Sequence, residues 1–147
     1  MSIKDKLMAD MKEAMKARQS DRLIIIRSIR SAVRQTEIDG KLDLDDNGVI
    51  GVVSKELKMR QDSLAEFKKG GRDDLVEKTE KEIAVILSYL PEQLSEEEIR
   101  TIVSDAIEKV KAATAKDMGK VMKELMPKVK GKADGKLVSN IVKEMLN

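Results

Sequence analysis

Tyr89-Leu90-Pro91-Glu92-Gln93-Leu94-Ser95-Glu96-Glu97-Glu98 decides how the chain folds. A residue before proline is driven out of the α region, so a helix arriving from the N-terminal side must end before Pro91. Four residues later a new helix is announced. Ser95 can accept a hydrogen bond from the amide three residues on, and Glu98 can reach back to the amide of Ser95. Three carboxylates in the first turn suit the positive end of the helix dipole. The stretch therefore reads as a linker between two helical units, 1–91 and 92–147, with its hinge at Leu90-Pro91.

Upstream of it the pattern is helical. Ile3, Leu7, Met8, Met11 and Met15 fall at steps of three and four in a first segment from Ser2 to Gln19, with Ser2 as its cap. A second segment opens at Ser20 or Asp21 and ends before Gly40; Ile25, Ile26, Ile29, Ala32 and Val33 share one face, and Arg27, Arg30 and Arg34 lie opposite. The third carries a stripe from Val49 to Phe67 and stops at Gly70-Gly71, where glycine accepts a left-handed backbone. The fourth starts near Asp73 and places Leu75, Val76, Ile83, Ile86, Leu87 and Leu90 on its apolar face.

Downstream, Ile99, Ile102, Val103, Ala106 and Val110 complete the helix that Ser95 opens. The next begins near Asp117, and Pro127 is expected to kink or end it. Asp134 caps a last helix carrying Leu137, Val138, Ile141, Val142, Met145 and Leu146. No run has the period of a strand. The expected fold is all-α: a four-helix N-terminal unit followed by a small three-helix C-terminal unit.

Composition excludes several functions. The 147 residues hold 29 Lys+Arg and 27 Asp+Glu, and no Cys, His or Trp. Disulfide frameworks, zinc sites built on Cys or His, a Ser-His-Asp triad and a Cys nucleophile are all ruled out. At 1% aromatic residues there is no platform for stacking unpaired bases. No Gly-x-Ser-x-Gly elbow, phosphate-binding Gly-rich loop or dinucleotide fingerprint occurs, so no catalytic residue and no cofactor is assigned. The longest apolar runs, Leu23 to Ile26 and Ile83 to Leu87, are far short of the roughly 20 residues of a membrane span. With no signal-peptide core after Met1 and no cysteine, the expectation is a soluble cytoplasmic protein. The nine Met, mostly at stripe positions, read as core filler rather than as a soft-metal site.

Asp43-Leu44-Asp45-Asp46-Asn47-Gly48-Val49-Ile50 matches the start of a calcium-binding loop, but Ser54 stands where the bidentate Glu belongs. A helix cap at Asp45 or Asp46 is the preferred reading, and no metal site is assigned.

The near-neutral total hides an uneven distribution. Residues 92–108 hold one Arg against six acids, which the helix start at Ser95 explains; residues 109–147 hold ten Lys against four acids. Lys116, Lys120, Lys123, Lys128, Lys130, Lys132 and Lys136 fall within 21 residues, with Asp117, Glu124 and Asp134 as the acids among them. Such a field attracts a phosphate backbone; solvated surface lysine is the alternative. Arg27, Arg30 and Arg34 form a second basic face, suited to bidentate contact with phosphate or carboxylate, unless they pair with carboxylates of a neighbouring helix, the reading preferred for so charged a bundle.

Three stretches resemble the GatB/YqeY family, in its free-standing YqeY branch. They are Arg27-Ser28-Ile29-Arg30-Ser31-Ala32; Phe67-Lys68-Lys69-Gly70-Gly71-Arg72-Asp73-Asp74-Leu75 running on to the Tyr89–Ile99 stretch; and Met118-Gly119-Lys120-Val121-Met122 with Gly131-Lys132-Ala133-Asp134-Gly135. The resemblance implies a C-terminal three-helix module like the tail of the B subunit of the glutamine-dependent aminoacyl-tRNA amidotransferase, where that tail helps hold tRNA. The catalytic part of that subunit has no counterpart here. Although the family is often labelled a carbon–nitrogen ligase, no residues in this chain are matched to that chemistry. The resemblance therefore implies tRNA or RNA binding as a non-catalytic accessory protein. The alternatives are a helical module docking to an aminoacyl-tRNA synthetase or amidotransferase component, and a ligase acting alone.

Overall fold

A computed structural model describes residues 1–147. It is all-α and divides into two compact units, Met1–Leu90 and Pro91–Asn147.

The first unit holds α1 (Ile3–Lys16), α2 (Ser20–Gly40), α3 (Asp46–Lys69) and α4 (Asp73–Leu87). Helix starts follow the capping residues: Ser2 accepts from the Asp5 amide at 3.1 Å, and Asp45 from the Gly48 amide at 2.8 Å. Ends depart from expectation. α1 closes at Lys16 rather than Gln19, because Arg18 turns left-handed (φ 56°) and the Gln19 amide reaches back to the Ala14 carbonyl. At the end of α2 it is Lys41, not Gly40, that takes the left-handed conformation. Gly71 does so after α3, as expected (φ 67°). α4 stops at Leu87, and Ser88, Tyr89 and Leu90 wind on as tighter i to i+3 turns up to Pro91.

Leu7 and Ala14 of α1, Ile25, Ile26, Ile29 and Val33 of α2, Val49, Val52, Val53 and Leu57 of α3, and Ile86 and Tyr89 make one core. Each large aliphatic side chain so buried contributes about 1.5–3 kcal/mol. The third stripe is buried only as far as Leu57. Leu64, Phe67, Leu75 and Val76, towards the tip of the α3–α4 hairpin, are half-buried and stand outside that core. At 24 residues α3 is about 36 Å long, against about 21 Å for α1, so its distal half outreaches the helix that covers its base.

The second unit holds α5 (Glu96–Val110), a single 3₁₀ turn (Ala115–Asp117) that the sequence reading did not include, α6 (Met118–Val129) and α7 (Gly135–Leu146). The full capping box forms at Ser95 and Glu98. Ile99, Val103 and Ala106 pack with Val121, Leu125 and Val129 and with Val138, Ile141, Val142 and Leu146. Pro127 does not end α6; the helix runs on to Val129. Proline deletes one amide donor, but the i to i−4 pattern resumes beyond it, where the Lys130 amide reaches the Met126 carbonyl at 2.9 Å.

The methionines are not core filler. None of the nine is buried: Met11, Met118 and Met122 are half-buried and the other six are exposed. Stiff Ile and Val side chains take the centres of both cores, and the flexible thioethers cover their edges.

Candidate nucleic-acid interface

The lysine-rich segment presents its charges outward. Lys116 lies in the 3₁₀ turn, Lys120, Lys123 and Lys128 on α6, Lys130 at its C-terminal cap, Lys132 in the following turn and Lys136 in the first turn of α7. All are exposed except Lys132, which is half-buried and whose carbonyl accepts from the Leu94 amide at 2.8 Å. At 100° per residue, Lys120 and Lys123 share one exposed face with Gly119 and Pro127, and Lys130 extends it by a turn; Lys128 lies further round.

None of these seven ammonium groups is paired, because every acid among them is engaged elsewhere. Asp117 accepts from the amides of Ala113 (2.9 Å) and Thr114 (3.4 Å), which hold its carboxyl below the usual range. Glu124 bonds Lys109 of α5 at 2.7 Å, and that hydrogen bond lowers its pKa likewise. Asp134 accepts from the Lys136 amide at 3.0 Å, capping α7. The five earlier helices each carry an acid in the first turn; α6 and α7 carry theirs only at the N-cap, as Asp117 and Asp134.

The glycines of this segment serve different ends. Gly131 is buried and left-handed (φ 75°), and its carbonyl accepts from the Gln93 side chain at 2.7 Å. The second and third of the three stretches that carry the family resemblance thus hold each other within the second unit. Gly119 has open space where a Cβ would stand and an ordinary helical backbone, so packing does not require it.

Arg27, Arg30 and Arg34 do not form a plain outer face. They line a groove of about 580 Å³ between α1 and α2, with Leu7, Met8 and Val33 as its apolar part. Arg30 is half-buried and its guanidinium reaches the Met11 sulfur at 3.0 Å. The expected carboxylate pairing does not occur at any of the three. It occurs at the other arginines that face acids: Arg22 with Asp10 and Glu13, Arg60 with Glu56 and Glu82, Arg72 with Asp74, and Arg100 with Glu96 and Glu144. Of the two acids that line the groove, Glu37 is taken by Lys4 and by the Leu44 amide, and Asp5 pairs with none of the three arginines.

The Asp43–Gly48 stretch is structural. Asp45 caps α3, Asp46 accepts from the Ile3 amide at 2.9 Å, and Asp43 pairs with Lys4 at 2.6 Å, which holds its carboxyl below the usual range.

A family model described as "Yqey-like protein" matches residues 4–146. Among curated relatives, three are each named "Altered inheritance of mitochondria protein 41, mitochondrial". The one from Pyrenophora tritici-repentis is 30% identical over 144 residues, covering 96% of this chain and 79% of the relative. That from Lachancea thermotolerans is 39% identical over 108 residues, 71% of this chain and 58% of the relative. That from Kluyveromyces lactis is 42% identical over 84 residues, 56% and 45% respectively, so for these last two the match spans about half the relative's length. These relatives are named as mitochondrial proteins, which contradicts the expectation of a cytoplasmic protein. The expectation rested on missing features, a signal-peptide core, a membrane span and cysteine, and missing features do not specify a compartment. With the fold, the ordered motifs and a match across nearly its whole length, the chain belongs to the YqeY-like protein family.

Proposed function

We propose that the protein is a non-catalytic RNA-binding accessory module whose second unit grips tRNA through its phosphate backbone. The observation that carries this reading is the set of seven lysines, all unpaired while every neighbouring acid is engaged. The resemblance of the C-terminal module to the tail of the amidotransferase B subunit supports tRNA as the species. The lack of aromatic residues favours contact with backbone and shape over base stacking. The relatives' names suggest the mitochondrion as the compartment of that RNA.

Filter binding of tRNA at low salt tests the reading. Binding is expected, and replacing Lys120, Lys132 and Lys136 by Glu is expected to abolish it. No binding by the unmodified protein, or none lost in the variant, overturns it. A pull-down that returns one stoichiometric synthetase or amidotransferase component after nuclease treatment would favour the docking alternative.

A further inference from the structure

The groove between α1 and α2 has a charge pattern that the lysine surface does not explain. Arg27 and Arg34 are exposed, Arg30 is half-buried, and no carboxylate lies within ion-pair distance of any of them, in a chain that pairs Arg22, Arg60, Arg72 and Arg100. Their spacing along α2, three and then four residues, puts them on one face, about 5–6 Å from one to the next. The groove also holds Lys4, Asp5 and Glu37. Four cations against two carboxylates leave its lining two positive charges in excess. Lys4 is already committed to Glu37 and Asp43, so the excess resides on the arginines.

We infer that this groove is a binding site for a phosphate monoester. A phosphate monoester carries a charge of about −1.5 to −2 near neutral pH and three strong acceptor oxygens, matching the excess in sign and size. A carboxylate supplies one charge and one plane of acceptors, which a single guanidinium fork satisfies. Three forks on adjacent turns of one helix present donors from several directions, as a tetrahedral acceptor requires. Leu7, Met8 and Val33 give the site a low-polarity wall, which strengthens each charged contact. A volume of about 580 Å³ accommodates a small phosphorylated molecule or the phosphorylated end of an oligonucleotide. The inference stands on the first unit alone and does not depend on the lysines of the second.

The test follows the arginine side-chain N–H resonances of the ¹⁵N-labelled full chain by NMR. Inorganic phosphate is titrated against chloride at matched ionic strength. Saturable shifts at Arg27, Arg30 and Arg34, absent with chloride, are expected. No saturable shift, or equal movement of Arg72 and Arg100, overturns the inference. In the R27Q/R34Q variant, whose exposed replacements should leave the helical melting curve in place, phosphate affinity should fall roughly ten-fold or more; unchanged affinity overturns it. A 5′-phosphorylated RNA oligonucleotide and its dephosphorylated twin separate the sources. Shifts with the phosphorylated strand alone identify an RNA end, shifts with neither identify a small phosphorylated ligand, and equal shifts with both show a backbone diester site and contradict the assignment.

Discussion

The side-chain amide of Gln93 donates to the carbonyl of Gly131 at 2.7 Å, across 38 residues of sequence. It donates also to Pro91 at 3.0 Å, and the Leu94 amide reaches Lys132 beside it. The linker and the glycine turn are thus parts of one brace in the second unit, to which Lys132 of the lysine surface contributes its carbonyl.

Gln93→Leu removes the donor and leaves the Gly131 carbonyl, on a buried residue, without its partner. A loss of about 1–3 kcal/mol is expected. Chemical denaturation monitored by circular dichroism reads it; an unchanged midpoint would mean that the bond contributes nothing.

Tyr89 is the single tyrosine, 5% exposed, its hydroxyl donating to Asp10 at 2.6 Å and its ring 4.9 Å from the Lys6 ammonium. Burial first, and then the bond to Asp10, push its pKa well above the ordinary value near 10. Folded and unfolded chains both hold the phenol proton below pH about 10, so its contribution is complete there. Above that the unfolded chain alone releases the proton, and stability falls as pH rises. Phenolate absorbance is expected to appear only together with loss of helical ellipticity; titration near pH 10 with the helices intact would contradict this.

Much of the fold was legible because caps are local. Ser2, Asp45, Ser95 and Asp134 each satisfy an amide two or three residues away; Ser2, Ser95 and Asp134 were assigned from sequence, and Asp45 was one of two candidates with Asp46. Helix ends were harder. Arg18, Lys41 and Lys111 adopt left-handed backbones without the aid of glycine, and nothing in a periodic pattern distinguishes them from their neighbours. The lysine surface was readable because it needs only exposure. The arginine groove was not, because pairing depends on what α1 sets opposite α2: Lys4 engages Glu37, and Arg27, Arg30 and Arg34 form no ion pair.

Gly119 sits on the exposed face of α6 with an ordinary helical backbone and open space at its Cβ position. Gly119→Ala should stabilise the chain by up to about 1 kcal/mol, the value for a helix interior, and by less in proportion to its place in the first turn, through helix propensity alone. A lower melting temperature would show a constraint that the fold does not contain.

The carboxylates of Asp43, Asp45 and Asp46 are each satisfied within the first unit. Micromolar calcium should therefore leave the melting temperature unchanged. A rise would mean that the ion displaces Lys4 and the helix cap, and would reinstate the calcium-loop reading.

The central claim is that unpaired lysines of the second unit neutralise RNA phosphates. It is tested most directly by tRNA affinity measured across a salt series, for the unmodified chain and for K120Q/K123Q/K130Q. Affinity should fall linearly on logarithmic axes, with a slope of roughly 0.7–0.9 per phosphate contacted, and the variant's slope should be shallower by about two. Equal slopes for the two proteins, or no binding by either at low salt, would contradict the account.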